Sequence, residues 1–268
     1  MPIQEIQDKA RIHALLADDP IVTLEALDEN ALGVEGLVTV FASDAETKPI
    51  NMLAVRWGQK NLGLGSVALL RAGRLTGLED VVAAFPADRG QFDLLLPFWA
   101  SGAIMSAFNA TMLGAEAMYT VDRERLIRSP ASRQCTRLTD LEIIRPMFPK
   151  LATDVPAYVL ALRDQLTSVA AVTHLREDVA RVSVYTVEPS RLHGFGRAVL
   201  TSLAEELLAL GIKPTLSIDL AQEPAVRMVE NAGFYQRASH LKVRISGRRD
   251  AAGPTPTPSL VQLGSKRG

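Results

Sequence analysis

The sequence is poor in the features that would place it in several common classes of protein. Among its 268 residues there is a single cysteine, Cys135, so no intramolecular disulfide can form and a reducing compartment, the cytoplasm, is expected. The net charge of −1 gives no reason to expect nucleic acid or an anionic membrane as a partner. Residues 94–115 carry no charge, but Pro97, Gly102 and Gly114 interrupt them, which favours a buried segment over a membrane-spanning helix. We also expect no metal site.

The composition that remains is that of a globular protein long enough for two domains. Hydrophobic residues make up 47% and charged residues 22%, which is ordinary for a chain with a proper core. Residues 129–136 are polar and irregular and are typical of a linker. We therefore predict an N-terminal α/β domain over residues 1–128, a second domain over 137–246, and a disordered tail, rich in glycine, proline and basic residues, over 247–268.

Apolar spacing predicts helices and strands in both domains. In the first domain we predict helices over residues 3–17, 78–85 and 97–109, and strands over 36–42, 50–57 and 115–121. In the second domain we predict helices over 138–147, 195–210 and 224–232, and strands over 157–162, 166–175, 179–187, 214–220 and 234–245. Only the second domain contains a motif with chemical meaning.

That motif is the loop of residues 191–197 (RLHGFGR), between a predicted strand and a predicted helix. A helix entrance leaves backbone N–H groups without intrahelical partners, and the helix dipole adds partial positive charge there. Gly194 and Gly196 allow the backbone to approach an anion closely, and Arg191 and Arg197 can add charge-assisted hydrogen bonds. The pattern therefore predicts a diphosphate cradle. The alternative is a tight strand-to-helix turn whose glycines are needed only for steric reasons.

Two other nucleotide-binding motifs do not fit this loop. The dinucleotide-binding fingerprint has a third glycine, where this sequence has Val199. The Walker loop ends in Gly-Lys-Ser/Thr, and no such ending follows here.

The wider segment 184–234 resembles the GNAT superfamily of N-acetyltransferases, and most of all its FR47-like and glycine-acyltransferase-like branches. The features that carry the resemblance follow one another in order: the step Val187-Glu188-Pro189, the 191–196 loop, a long helix, a strand, Ala225, and Gly233-Phe234. The resemblance extends over residues 137–245. It implies the GNAT acyltransferase fold, an α/β (α+β) fold in which a mixed twisted sheet is flanked by helices. By analogy with double-domain relatives, the N-terminal domain is interpreted as a diverged GNAT-like half.

The resemblance also implies a function. It implies direct transfer of an acyl group, acetyl in the first instance, from coenzyme A to an amine of a small molecule or amino acid in a ternary complex. Acetyl-CoA is then a co-substrate, whose pantetheine arm pairs with the strand before the loop as an added strand would. The residues expected to bind it are Tyr185, Thr186, Val187, Arg191, Leu192, His193, Gly194, Phe195, Gly196 and Arg197.

The sequence departs from this family where many members place proton carriers. Arg181 stands where many relatives have a glutamate that takes the proton of the amine, and Val229 stands where many have a tyrosine that protonates the thiolate. Gln222 replaces a family asparagine. The catalytic residues and the oligomeric state therefore stay unassigned. Two alternatives stay open: a non-catalytic acyl-CoA-binding or sensing module, and a structural protein without a ligand.

Overall fold

A single mixed sheet organises the chain. The structure is a computed structural model and describes residues 3–17, 37–43, 51–58, 65–86, 90–148, 151–152, 155–163, 165–176 and 178–249. Within these residues the strands are β1 (Ile3–Ile6), β2 (Val38–Ser43), β3 (Asn51–Arg56), β4 (Ser66–Ala72), β5 (Phe92–Pro97), β6 (Phe108–Thr120), β7 (Thr136–Leu138), β8 (Ala157–Leu162), β9 (Gln165–Arg176), β10 (Val179–Thr186), β11 (Lys213–Asp219) and β12 (Tyr235–Arg248). The helices are α1 (Lys9–Leu16), α2 (Leu78–Ala83), α3 (Ser101–Ala107), α4 (Phe195–Ala209) and α5 (Glu223–Asn231).

The order of strands shows that the two halves of the chain repeat one topology. The sheet runs β1-β2-β3-β4-β5-β12-β6-β11-β10-β9-β8-β7, so the middle lies between β12 and β6. In the N-terminal half, β2, β3 and β4 are antiparallel neighbours, and β4 is parallel to β5 across α2. In the C-terminal half, β8, β9 and β10 are antiparallel neighbours, and β10 is parallel to β11 across α4.

The last strand of each half is inserted next to the other half. β12 pairs with β5 on one side and with β6 on the other, and β6 in turn pairs with β11. Main-chain hydrogen bonds therefore join the halves through the centre of the sheet. The division into a domain over residues 1–128 and a second over 137–246 stays a prediction.

Alternation along the central strands directs one set of side chains to the helices and the other set to the opposite face. Leu241 and Val243 of β12 pack in the core that contains α2 and α3, and Ala117 and Tyr119 of β6 pack in the core that contains α4 and α5. The opposite face is covered by α1 over the N-terminal half and by residues 141–148 over the C-terminal half. Between these two covers, the same face of the sheet carries charged side chains.

The predicted helix over residues 3–17 is wrong at its start. Residues Ile3–Ile6 form β1, which pairs with β2 at the edge of the sheet, and only then does α1 begin. Asp8 caps α1, because its carboxylate accepts a hydrogen bond of 2.8 Å from the N–H of Arg11. Apolar residues alone did not distinguish the strand from the helix, whereas this aspartate marks the boundary between them.

The predicted helix over residues 138–147 is also wrong. Leu138 is the last residue of β7, and the segment then forms a single 3-10 turn, Leu141–Ile143, whose start is capped by Asp140. Pro146 lies where a continuing helix would need a backbone N–H, and proline has none. The capping residue Asp140 therefore correctly marks the start of a turn. Pro146 prevents this turn from continuing as a helix.

The other predicted elements are confirmed, with small shifts of their ends except at β6. This strand begins at Phe108, seven residues before the predicted start at 115, and it takes the last two residues of the helix predicted over 97–109. The confirmed elements are the helices at residues 78–85, 97–109, 195–210 and 224–232, and the strands at 36–42, 50–57, 115–121, 157–162, 166–175, 179–187, 214–220 and 234–245. β4 and β5 were missed. The predicted tail over residues 247–268 lies almost wholly outside the described residues. In the part of the chain that is described, no helix combines the length and the apolar character needed to cross a membrane.

Candidate functional site

The parallel strands β10 and β11 begin as neighbours and then part. Their pairing covers Val179 with Lys213 to Arg181 with Thr215, and no further pair follows although β10 continues to Thr186 and β11 to Asp219. An irregularity in the pairing of β10 with β9 falls at the same point, between Arg181 and Val182. Bulges bend strands, so β10 turns away from β11 here. We call the resulting gap the β10–β11 opening.

Main-chain groups of β10 line one side of this opening. The N–H of Val187 donates to the carbonyl of Thr167, at 3.0 Å, and therefore points towards β9. Because successive residues of a strand direct their N–H and C=O groups to opposite sides, Thr186 and Val184 face the opening. Among the three predicted strand residues, only Thr186 presents its main chain to the opening. Tyr185 and Val187 present theirs to β9.

The wide end of the opening meets the entrance of α4. The chain leaves β10 through a 3-10 turn, Glu188–Ser190, and then adopts left-handed backbone at Leu192 (φ 66°) and Gly194 (φ 82°). Gly194 is the N-cap of α4 and no side chain caps the helix. The N–H groups of the first turn therefore point to the open end, as an anion site requires.

Gly196 is placed where α4 packs closely against its neighbours. A Cβ added there would lie 3.0 Å from Sδ of Met228, 3.1 Å from Oγ1 of Thr186 and 3.6 Å from Cγ1 of Val184. The glycine thus brings the helix entrance close to the edge of β10 and to α5. Gly196 therefore has a steric role, and this role is compatible with an anion site at the same entrance.

The polar side chains of the loop hold its shape. Nε of Arg191 donates to the carbonyl of Thr186 at 3.4 Å, which joins the loop to the end of β10. Nδ1 of His193 lies 2.8 Å from the carbonyl oxygen of Arg191, and its ring stacks on Phe195 with centroids 5.8 Å apart. These contacts hold the loop at the entrance of α4, and Arg191 and Arg197 give it positive charge.

The N-terminal half contains a counterpart of this loop. After β4 the sequence Arg74-Leu75-Thr76-Gly77 leads into α2, as Arg191-Leu192-His193-Gly194 leads into α4. Gly77 is likewise a left-handed N-cap (φ 76°) without a side-chain cap. β4 and β5 also part, after the pair Leu69 and Leu95. This R-L-x-G repeat was missed in the sequence, although it is visible there.

The N-terminal loop differs from its counterpart in two ways that oppose anion binding. The buried carboxamide of Asn51 accepts hydrogen bonds from the N–H groups of Gly73 (3.0 Å) and Arg74 (3.2 Å), and its Nδ2 donates to the carbonyl of Thr76 (3.0 Å). In addition, Glu79 and Asp80 stand in the first turn of α2 where α4 has Gly196 and Arg197. The side chain of Asn51 thus occupies the N–H groups of Gly73 and Arg74. The first turn of α2 carries two negative charges, those of Glu79 and Asp80.

We therefore expect each chain to bind one molecule of acetyl-CoA. Isothermal titration calorimetry should give a stoichiometry near 1, because the carboxylates of Glu79 and Asp80 in the first turn of α2 repel a second diphosphate. Two equivalent molecules per chain would contradict this reading of the N-terminal loop.

The two residues at the family's proton-carrier positions, Val229 and Arg181, and the phenol of Tyr235 lie in different places. Val229 is fully buried in the core. Arg181 lies at the narrow end of the opening, opposite Thr215. The hydroxyl of Tyr235 donates to Asp122 at 3.0 Å beside Lys213, at the end of β11 remote from the 191–197 loop. Burial, and then this hydrogen bond, raises the pKa of Tyr235 above its ordinary value.

Comparisons with known proteins agree with the topology. Residues 159–243 match the family model described as FR47-like protein. A Drosophila protein of known structure is similar with a TM-score of 0.61 at 7% identity, covering 91% of this chain and 98% of its own. An N-acetyltransferase of the GNAT type from Sphaerobacter thermophilus is similar with a TM-score of 0.57 at 11% identity, covering 91% and 96%. A search of curated protein sequences finds no match.

A third solved structure is a tandem GNAT protein from the clavulanic acid biosynthesis pathway. It has a TM-score of 0.55 at 13% identity, and the similarity covers 93% of this chain and all of the other. At sequence identities this low, the structural similarity establishes a shared fold and nothing beyond it. The resemblance to the GNAT superfamily is confirmed, and the chain has the fold of GNAT acetyltransferases, in its tandem form.

Proposed function

We propose that this chain is an N-acyltransferase that moves an acyl group, acetyl in the first instance, from coenzyme A to the amine of a small molecule. The proposal rests on one observation. The parallel strands β10 and β11 part, and the entrance of α4, which contains glycine and has no side-chain cap, lies at the wide end of the gap between them. The proposal keeps the cytoplasm as the location and does not involve nucleic acid or membrane.

In this proposal the N–H groups of residues 192–197 hold the diphosphate, and the guanidinium groups of Arg191 and Arg197 balance its charge. The pantetheine arm lies in the β10–β11 opening, where the main-chain groups of Val184 and Thr186 pair with its amides as a neighbouring strand would. The thioester then lies towards the narrow end. There a backbone N–H group of β10 can stabilise the oxyanion that forms on its carbonyl oxygen.

The transfer needs no covalent intermediate on the protein. The lone pair of the neutral amine attacks the thioester carbon, a C–N bond forms, the C–S bond breaks, and the electron pair leaves on sulfur. The nitrogen loses one proton and the thiolate gains one. Because Arg181 and Val229 stand at the positions of the family's proton carriers, positioning and oxyanion stabilisation supply most of the rate, without the factor of about 10²–10⁴ typical of a general acid or base.

The same two residues support a second candidate, a non-catalytic module that binds acyl-CoA. A thiol-release assay with acetyl-CoA and a panel of primary amines separates the two candidates, with mass spectrometry to identify the acylated amine. We expect release of thiol that depends on the amine and equals the amount of acylated product. Tight binding of acetyl-CoA without amine-dependent release across the panel would support the binding module and overturn the proposed transferase.

A further inference from the structure

A cavity of about 210 Å³ lies on the polar face of the sheet, and both halves of the chain build it. Its charged lining residues are Asp93 of β5, Glu116 of β6, Asp219 of β11, and Lys242 and Arg244 of β12. Their neighbours along the strands pack in the cores beneath the helices, so these five side chains point to the opposite face. The volume corresponds to about seven waters at roughly 30 Å³ each, and so to a small molecule.

Two of these five charges neutralise each other. The guanidinium of Arg244 donates to both carboxylate oxygens of Asp93, at 2.8 and 3.2 Å. This bidentate pair closes one side of the cavity and leaves the other three charges to interact with a ligand.

The remaining charges leave an excess of one negative charge. Glu116 and Asp219 are direct partners in the register of β6 and β11, and like charges in that arrangement destabilise a sheet. The ammonium of Lys242 lies near them, with Nζ 3.8 Å from Oε1 of Glu116, beyond hydrogen-bond distance, and His240 is the direct partner of Glu116 in the register of β12 and β6. A cation placed between the two carboxylates would remove their repulsion.

The acidic side of the cavity is joined to β11 near the β10–β11 opening. The hydroxyl of Ser217 donates to Oε2 of Glu116 at 3.2 Å. Ser217 lies two residues beyond Thr215, the last residue of β11 that pairs with β10. The carboxylate of Glu116 is thus tied to the point at which the β10–β11 opening begins.

We propose that this cavity binds the acceptor, and that the acceptor is a small primary amine with net positive charge. Its ammonium enters between Glu116 and Asp219 and releases one proton to one of these carboxylates, so that the neutral amine then attacks the thioester. The inference rests on the proposed function and specifies its substrate class. A zwitterionic amino acid would leave the excess negative charge of the cavity uncompensated, whereas a monocation neutralises it.

The test compares acceptors of one length and two charges. 4-Aminobutan-1-ol carries one positive charge, and 4-aminobutanoate is zwitterionic. With saturating acetyl-CoA, kcat/KM is expected to be about tenfold or more higher for the aminoalcohol. Equal values, or a preference for the zwitterion, would overturn the inference about charge.

Two variants locate the effect in the cavity. Glu116→Gln and Asp219→Asn retain oxygens that can accept the bonds from Ser217 and from the N–H of Ala221, so both keep the local structure. Each is expected to raise KM for the aminoalcohol about tenfold and to leave the Kd of acetyl-CoA unchanged. Glu142→Gln, at an exposed acid outside the cavity, is the control and should change neither constant.

The outcomes separate this inference from the proposed function. Acylation of the aminoalcohol with an unchanged KM in both variants would overturn the cavity and leave the transferase intact. Absence of acylation of the aminoalcohol, while other amines of the panel are acylated, would overturn the inference and leave the transferase intact. Absence of acylation across the whole panel, with retained acetyl-CoA binding, would overturn the transferase. In that case, calorimetric titration with the aminoalcohol tests whether the cavity binds an amine. Binding that is lost in Asp219→Asn would support the cavity as the binding site. No binding, or binding that Asp219→Asn leaves unchanged, would overturn it.

Discussion

Replacing Gly194 by aspartate is expected to weaken the binding of acetyl-CoA on the order of 100-fold or more. The new carboxylate would lie at the uncapped entrance of α4, and two charges of the same sign at about 4 Å repel by roughly 4 kcal/mol near a protein surface. The space is open, since a Cβ at this position meets no atom within 4 Å. Calorimetric titration of the folded variant with acetyl-CoA measures the loss.

Two controls isolate the effect of the charge. Gly194→Asn has nearly the shape of the aspartate variant, and asparagine tolerates left-handed backbone as well, so it should bind acetyl-CoA far better. Gly77→Asp introduces the same group at the counterpart N-cap (φ 76°), also in open space, and should leave the affinity unchanged. Normal affinity in Gly194→Asp, or an equal loss in Gly77→Asp, would remove the assignment of the diphosphate to the 191–197 loop.

Replacing Gly233 by alanine is expected to destabilise the protein by about 3 kcal/mol or more. Its backbone is left-handed (φ 89°), and an added Cβ would lie 1.8 Å from the carbonyl oxygen of Arg125. The chain around Arg125 leads from β6 towards β7, and the N–H of Ile127 donates to the carbonyl of Ala232 at 2.9 Å. Alanine would therefore separate this connecting segment from the end of α5. Urea unfolding followed by circular dichroism measures the loss.

Gly211 provides the matched control. It also follows a helix with left-handed backbone (φ 78°), but an added Cβ meets nothing within 4 Å. Gly211→Ala should therefore cost only about 1–2 kcal/mol, from the backbone strain alone. Equal losses in the two variants would show that the contact with Arg125 does not matter. Both tryptophans, Trp57 and Trp99, lie in the N-terminal half, so coincident fluorescence and circular dichroism transitions would indicate that the joined halves unfold together.

The sequence was most informative where local signals and burial agree. The helix at residues 195–210 has apolar residues at helical spacing and Gly211 at its end, and the strands before it alternate clearly. Order and spacing of these elements were enough to indicate the fold. Predictions failed where a short apolar stretch was compatible with more than one conformation, as at β1, or where Pro146 ended a helix after one turn.

The insertion of β6 and β12 into each other's halves could not be predicted from local patterns. Each strand is recognisable alone, but nothing in its residues states which distant strand will be its neighbour. The uncharged character of residues 94–115 is explained in part by this arrangement. β5 and β6 lie in the middle of the sheet, with neighbours on both sides.

Of the candidate site, only the 191–197 loop could be predicted from the sequence. The 191–197 segment carries its own signal in glycine and arginine, whereas the role of Asn51 depends on a contact between residues more than twenty positions apart. The cavity with Glu116 and Asp219 combines four strands from both halves and has no signature in any one segment. The missing proton carriers at Arg181 and Val229 drew attention to the C-terminal half, but the polar face lies across both halves.

A crystal structure with coenzyme A bound tests the central claim most directly. The account predicts one molecule per chain, with its diphosphate on the N–H groups of residues 192–197 and its pantetheine arm between β10 and β11. A molecule bound instead at the loop before α2, or one that leaves the β10–β11 opening empty, would contradict it.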